Sequence, residues 1–122
     1  MPDQQNPQDI EKMIKDYQSV QEQLRLYAIQ LEQLKAQKSE LERASSELEK
    51  STGKVYISVG GVIVETTKDK ASSDVKDRVE LSNTRIQSVT KQYNDIKARE
   101  KALSEKITQI YKSAQGSQQG IE

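Results

Sequence analysis

Glu40, Glu42, Glu47 and Glu49 crowd four carboxylates into ten residues. Proton transfer by such a group would need one of them buried, with its pKa moved toward neutrality. On a helix these four lie on solvated faces with nothing to desolvate them, so they read as a charge-laced surface and not as an acid–base pair. The chain has no His and no Cys, which removes zinc sites, thiol chemistry, disulfides and every nucleophile–His mechanism together. The glycine pair in "SVGGVI" lacks the Lys-Ser/Thr of a phosphate loop and sits between two apolar runs instead of before a helix. In the Lys-rich run "KQYNDIKAREK", Asp95 and Glu100 interleave with the bases, which weakens any neutralisation of a nucleic-acid backbone. Trp and Phe are absent and the five Tyr are spread along the chain, so no stacking platform for bases is present. No catalytic residue, metal, cofactor or nucleic-acid partner is expected.

The elements that carry these residues follow from periodicity. From Ile10 the apolar positions step by threes and fours through Met13, Tyr17, Val20, Leu24, Tyr27, Leu31 and Leu34, then Leu41 and Leu48 a heptad apart, with Lys38 and Ser45 in the polar slots. That is the seam of a coiled coil, sustained beyond the three or four heptads that make the pattern trustworthy. The second half repeats it with Val75, Val79, Ile86, Val89, Tyr93, Ile96, Leu103, Ile107 and Ile110, where Ser82 and Glu100 are polar. Residues 1–52 hold ten acids and seven bases, leaving nine acids and twelve bases for the rest of a neutral chain, so the halves attract each other. No stretch approaches the ~18 apolar residues of a membrane span and the N-terminus has no secretory pattern, so a soluble, cytoplasmic protein is expected.

Between the helical patterns lies "KVYISVGGVIVETT", residues 54–67, in which Val55, Ile57 and Val59 alternate with more polar neighbours. Gly60-Gly61 supplies the two positive-φ residues of a tight hairpin turn. Gly53 is expected as a left-handed cap ending the first helix, and Thr66 or Thr67 as the N-cap of the second, with Asp69 in its first turn. Folding the chain about the glycines pairs residues whose numbers sum to about 121, which sets Leu24 against Ile96 and Tyr27 against Tyr93. The expected fold is therefore mainly α: a long antiparallel coiled-coil helical hairpin with a central β-hairpin. Its helices are expected at 9–52 and 68–113, with disordered tails at 1–8 and 114–122 in a single domain.

Two apolar sites remain unexplained by the seam. Leaving Val55, Tyr56, Ile57, Val59, Val62, Ile63 and Val64 in water would forfeit on the order of 10 kcal/mol, and the helices can shield one face of the hairpin at most. The hairpin, including Gly60 and Gly61, is thus expected to oligomerise through its strands. At the other end of the helices, Ile10, Met13, Ile14 and Tyr17 come together with Leu103, Ile107, Ile110 and Tyr111, with Ile14 and Tyr111 just outside the seam. Exposed apolar surface, a wider packed end and local dimerisation account for this cluster equally well.

This hairpin between long heptad helices resembles the prefoldin family, and its beta class, over nearly the whole chain. The strongest likeness is at Tyr56, Val59-Gly60, Val62 to Val64 and Thr66 to Ala71. Ile57 departs from it, since a basic residue often follows the tyrosine there. The resemblance implies a hexamer of two alpha and four beta subunits whose hairpins form an oligomeric β-barrel, with the coiled coils as tentacles. It implies that the cluster at the helix ends holds unfolded proteins without ATP and passes them to a group II chaperonin. A structural coiled-coil tether without chaperone activity is the alternative.

Overall fold

The computed structural model describes residues 7–121, with side chains from 7 to 115. The order is helix α1 (Pro7–Lys50), strand β1 (Val55–Val59), strand β2 (Val62–Thr66) and helix α2 (Lys68–Ile121). Pro7 occupies the first helical position, where its missing N–H costs nothing and its fixed φ suits the helix, and Asp9 places a carboxylate in the first turn. Of the expected N-terminal tail, 7 and 8 are helical and 1–6 lie outside the described residues. At the other end α2 continues through the expected tail to Ile121. The chain has no proline after Pro7, so no residue there forbids the helix.

The chain divides into two compact units, one of Met1–Ala28 with Lys91–Glu122 and one of Ile29–Thr90. In the first, Val20 and Leu24 are buried, and the other seam positions from Ile10 to Tyr27 and from Tyr93 to Ile110 are half-buried. In the second, Ser82 and Val89 are buried, and Leu31, Leu34, Leu41, Leu48, Val75, Val79 and Ile86 are half-buried. Packing of this heptad stripe, more than intrinsic propensity, holds such long helices together. The polar slots obey the same geometry. Lys38 is half-buried with its ammonium 3.7 Å from Glu42, and Glu100 is half-buried with Lys97 3.4 Å away.

The hairpin is antiparallel, with Val55 opposite Thr66, Ile57 opposite Val64 and Val59 opposite Val62, so every pair sums to 121. Gly60 and Gly61 take φ of 56° and 84°, the double positive φ of the turn whose twist matches paired strands. Thr67 is the N-cap of α2: its hydroxyl accepts from the Lys70 N–H at 3.2 Å, while its carbonyl accepts from Ala71 at 3.0 Å.

Gly53 does not cap α1, because among the described residues only Gly60 and Gly61 have positive φ. The helix ends instead on a Ser51 N–H to Leu48 carbonyl bond of 3.2 Å, and the Lys68 ammonium donates to the carbonyls of Glu49 at 2.9 Å and Ser51 at 3.3 Å. A cation from the start of α2 thus satisfies the orphan carbonyls ending α1, where the helix dipole favours positive charge. Lys68→Met should lower stability by about 0.5–1 kcal/mol, with Lys68→Arg recovering part of it, as read from urea unfolding followed by circular dichroism.

Candidate functional site

Side chains directly opposite on paired strands share a face, so the register divides the hairpin cleanly. One face is Val55, Ile57, Val59, Val62, Val64 and Thr66, uncharged throughout; the other is Tyr56, Ser58, Ile63 and Glu65. On the uncharged face exposure rises from base to tip. Val55 is buried, Ile57 and Thr66 are half-buried, and Val59, Val64 and Val62 are exposed, the last at 60%. On the other face Tyr56 and Ile63 are exposed, Ile63 at 73%. The helices therefore cover the base of one face only, as strand alternation predicts, and both strand edges lack a neighbour in the two-stranded sheet. Five of the ten exposed large apolar residues among those described sit on these ten strand residues, a density that isolated exposed apolar groups do not reach.

Beneath β1 the second unit holds an open cleft of about 380 Å³. Leu48, Val55, Ile57, Ala71 and Val75 supply its apolar lining, while Glu47, Lys54 and Asp74 also border it. Asp74 pairs with Arg78 at 3.0 Å.

The second candidate site is the apolar cluster of the first unit. Ile10, Met13, Tyr17, Leu103, Ile107 and Ile110 are half-buried in the seam, whereas Ile14 is 41% and Tyr111 65% exposed. The structure so places six of the eight residues in the packed stripe and leaves two facing water. Leu26, Ile29 and Leu81 are exposed as well and lie outside both sites; single apolar groups of this kind are ordinary on a helix surface.

One ion pair lies on the exterior of α1. Arg25 donates to both carboxylate oxygens of Glu22, at 2.6 Å and 3.1 Å, and these hydrogen bonds hold the Glu22 carboxyl below the usual carboxylate range and raise Arg25. The pair is exposed and stays ionised at neutral pH, so it orders a helix surface and moves no proton. Of the residues that shape the hairpin, Lys68 was hidden from sequence reasoning, because its partners lie 17 and 19 residues away.

The family model described as "Prefoldin subunit" matches residues 11–114. The prefoldin subunit beta of Methanosarcina acetivorans is 36% identical over 105 residues, covering 84% of this chain and 90% of that protein. That of Pyrococcus furiosus is 34% identical, covering 83% and 88%. The crystal structure of the prefoldin beta subunit from Thermococcus strain KS-1 superposes with a TM-score of 0.79 at 30% identity, over 86% of this chain and 93% of that one.

Proposed function

We propose, because the chain belongs to the prefoldin family as a beta-type subunit, that it is one arm-bearing subunit of an ATP-independent holdase. Prefoldin is a chaperone family and not an enzyme family. In this reading the hairpin residues Val55 to Val64 join the chain to alpha and other beta subunits in a hexamer of two alpha and four beta. The cluster of Ile10, Met13, Ile14, Tyr17, Leu103, Ile107, Ile110 and Tyr111 captures unfolded polypeptide in the cytoplasm, which then passes to a group II chaperonin. The observation that carries the reading is the hairpin. Val59, Val62, Ile63 and Val64 remain in water in the single chain, although every seam position of the helices is at least half-buried.

Binding at the cluster needs no bond to be made or broken. Ile14 and Tyr111 offer apolar area worth roughly 25 cal/mol per Å² covered, a weak grip for one arm. Several arms on one assembly raise the effective concentration of the second and later contacts, so a weak grip becomes a useful one that is still reversible. Among the described residues no helix is long and apolar enough to cross a membrane.

The test is light scattering of a chemically unfolded client diluted into buffer with the assembled protein. The intact assembly should suppress aggregation, and a version lacking residues 1–17 and 104–122 should lose most of that protection. Equal protection by both would remove the cluster from the mechanism. No protection by either would favour the coiled-coil tether.

A further inference from the structure

Ser82 is buried at a seam position of α2 whose neighbours along the seam, Val79, Ile86 and Val89, are aliphatic. A hydroxymethyl group fills less of the space between packed helices than an aliphatic side chain does. Beside it the second unit carries an open groove of about 470 Å³, about three times the ~150 Å³ cavity that admits a benzene ring, so a large aliphatic side chain fits. Buried Ser82 and half-buried Leu41 lie deepest, and exposed Arg78, Leu81 and Arg85 form the α2 rim. One leucine at 50% exposure is ordinary on a helix, but its setting here is not. The spacing i, i+3, i+7 puts 78, 81 and 85 in one row over ~10 Å of helix, with a guanidinium at each end and the leucine between. Arg78 pairs with Asp74 of its own helix at 3.0 Å, an exposed contact of the kind that contributes little, and Arg85 has no ion-pair partner among the described residues. Both guanidiniums are therefore open to an incoming carboxylate, while Glu40 stands on the α1 rim.

We propose that this groove docks an acidic amphipathic helix of a partner protein. One leucine or similar aliphatic side chain of that helix enters over Ser82 between Leu41 and Leu81, and carboxylates a heptad apart meet Arg78 and Arg85. A helix laid along the row repeats its spacing, so Glu-x-x-Leu-x-x-x-Glu matches it in the parallel direction and Glu-x-x-x-Leu-x-x-Glu in the antiparallel one. The charges select this occupant over two others. A nucleic-acid strand is anionic at every step, so it would meet Glu40 as well as the arginines and would leave Leu81 without an apolar partner. An uncharged apolar segment would take two guanidiniums out of water with nothing to pair them. The site contains no residue of the hairpin and none of the apolar cluster of the first unit, and it does not rest on the holdase reading.

The experiment is fluorescence anisotropy of labelled synthetic peptides titrated with the full chain. The probes are Ala-rich peptides of about 20 residues, long enough to hold a helix, carrying one or the other of the two patterns, and the controls replace both glutamates with lysine. One acidic peptide should bind at least about tenfold more tightly than its lysine counterpart, and the difference should shrink as salt is added. Arg85→Glu and, separately, Leu81→Ser should each weaken that binding at least about fivefold; both side chains are exposed, so circular dichroism should be unchanged. Lysine in place of the glutamate that meets position 85 should restore binding to the Arg85→Glu chain, which a merely unfolded variant would not allow. Equal binding of acidic and lysine peptides, or no binding by either acidic peptide, would overturn the proposal. Acidic-peptide binding that Arg85→Glu leaves unchanged would do the same by placing the contact elsewhere. Displacement of the peptide by single-stranded oligothymidylate at equal concentration would make the row a polyanion patch, and binding that weakens as the chain is concentrated would give the groove to a second copy; either result overturns the assignment.

Discussion

Replacing Val62 and Val64 together with Asp should convert the assembled protein into folded helical monomers. Both side chains are exposed in the single chain and neither belongs to the helical seam, so the variant keeps the packing of α1 and α2. In the assembly the two carboxylates would stand in an aliphatic layer without partners. Burying an unpaired charge is costly enough that even a partial penalty of about 4 kcal/mol weakens association a thousandfold. Sedimentation should report the monomer mass while circular dichroism retains the helical signal. An intact oligomer would show that the subunits meet somewhere other than the hairpin.

The second large effect is expected at the other end of the helices. Ile14→Asp with Tyr111→Asp should leave the oligomer and its helical content in place and raise the concentration needed to protect an unfolded client by more than about tenfold. The physical basis is the sum of small losses. In the proposed holdase each arm forfeits about 1 kcal/mol of apolar contact, and several arms on one client would compound the losses. Substituting Ile107 instead would confound the result, since it is half-buried in the seam and its loss would also loosen the packing. Unchanged protection by the double variant would place client binding on other residues.

Much of this molecule is legible in its sequence because both of its periodic signals are long. Every seam position read from the heptads is buried or half-buried, including the polar Lys38, Ser45, Ser82 and Glu100, since a residue's place on a helix is fixed by counting whatever its chemistry. The hairpin register followed from Gly60-Gly61 for a similar reason, because a two-residue turn fixes which residues face each other. What escaped were features decided by spatial neighbours. Gly53 has the right place in sequence for a left-handed cap, yet the Lys68 ammonium, arriving from the far side of the hairpin, satisfies the same carbonyls and makes that conformation unnecessary. Strand alternation likewise separated the two faces of the hairpin, but how far the helices cover the uncharged face is decided by tertiary packing that no local pattern encodes. For the same reason Val55 and Val62, alike in the sequence, have opposite fates: one is 9% exposed and the other 60%.

The joint between helices and hairpin is tied by short-range hydrogen bonds of its own. The Ser51 N–H donates to the Leu48 carbonyl, the Lys68 ammonium to the Glu49 and Ser51 carbonyls, and the Lys70 and Ala71 N–H groups to the Thr67 hydroxyl and carbonyl. The stretch from Leu48 to Ala71 therefore behaves as a prefabricated coupling. An engineer can add or remove whole heptads in α1 and α2 together, keeping the seam in phase, without altering the coupling itself. Helix length thereby becomes a quantity that is adjusted without rebuilding the hairpin.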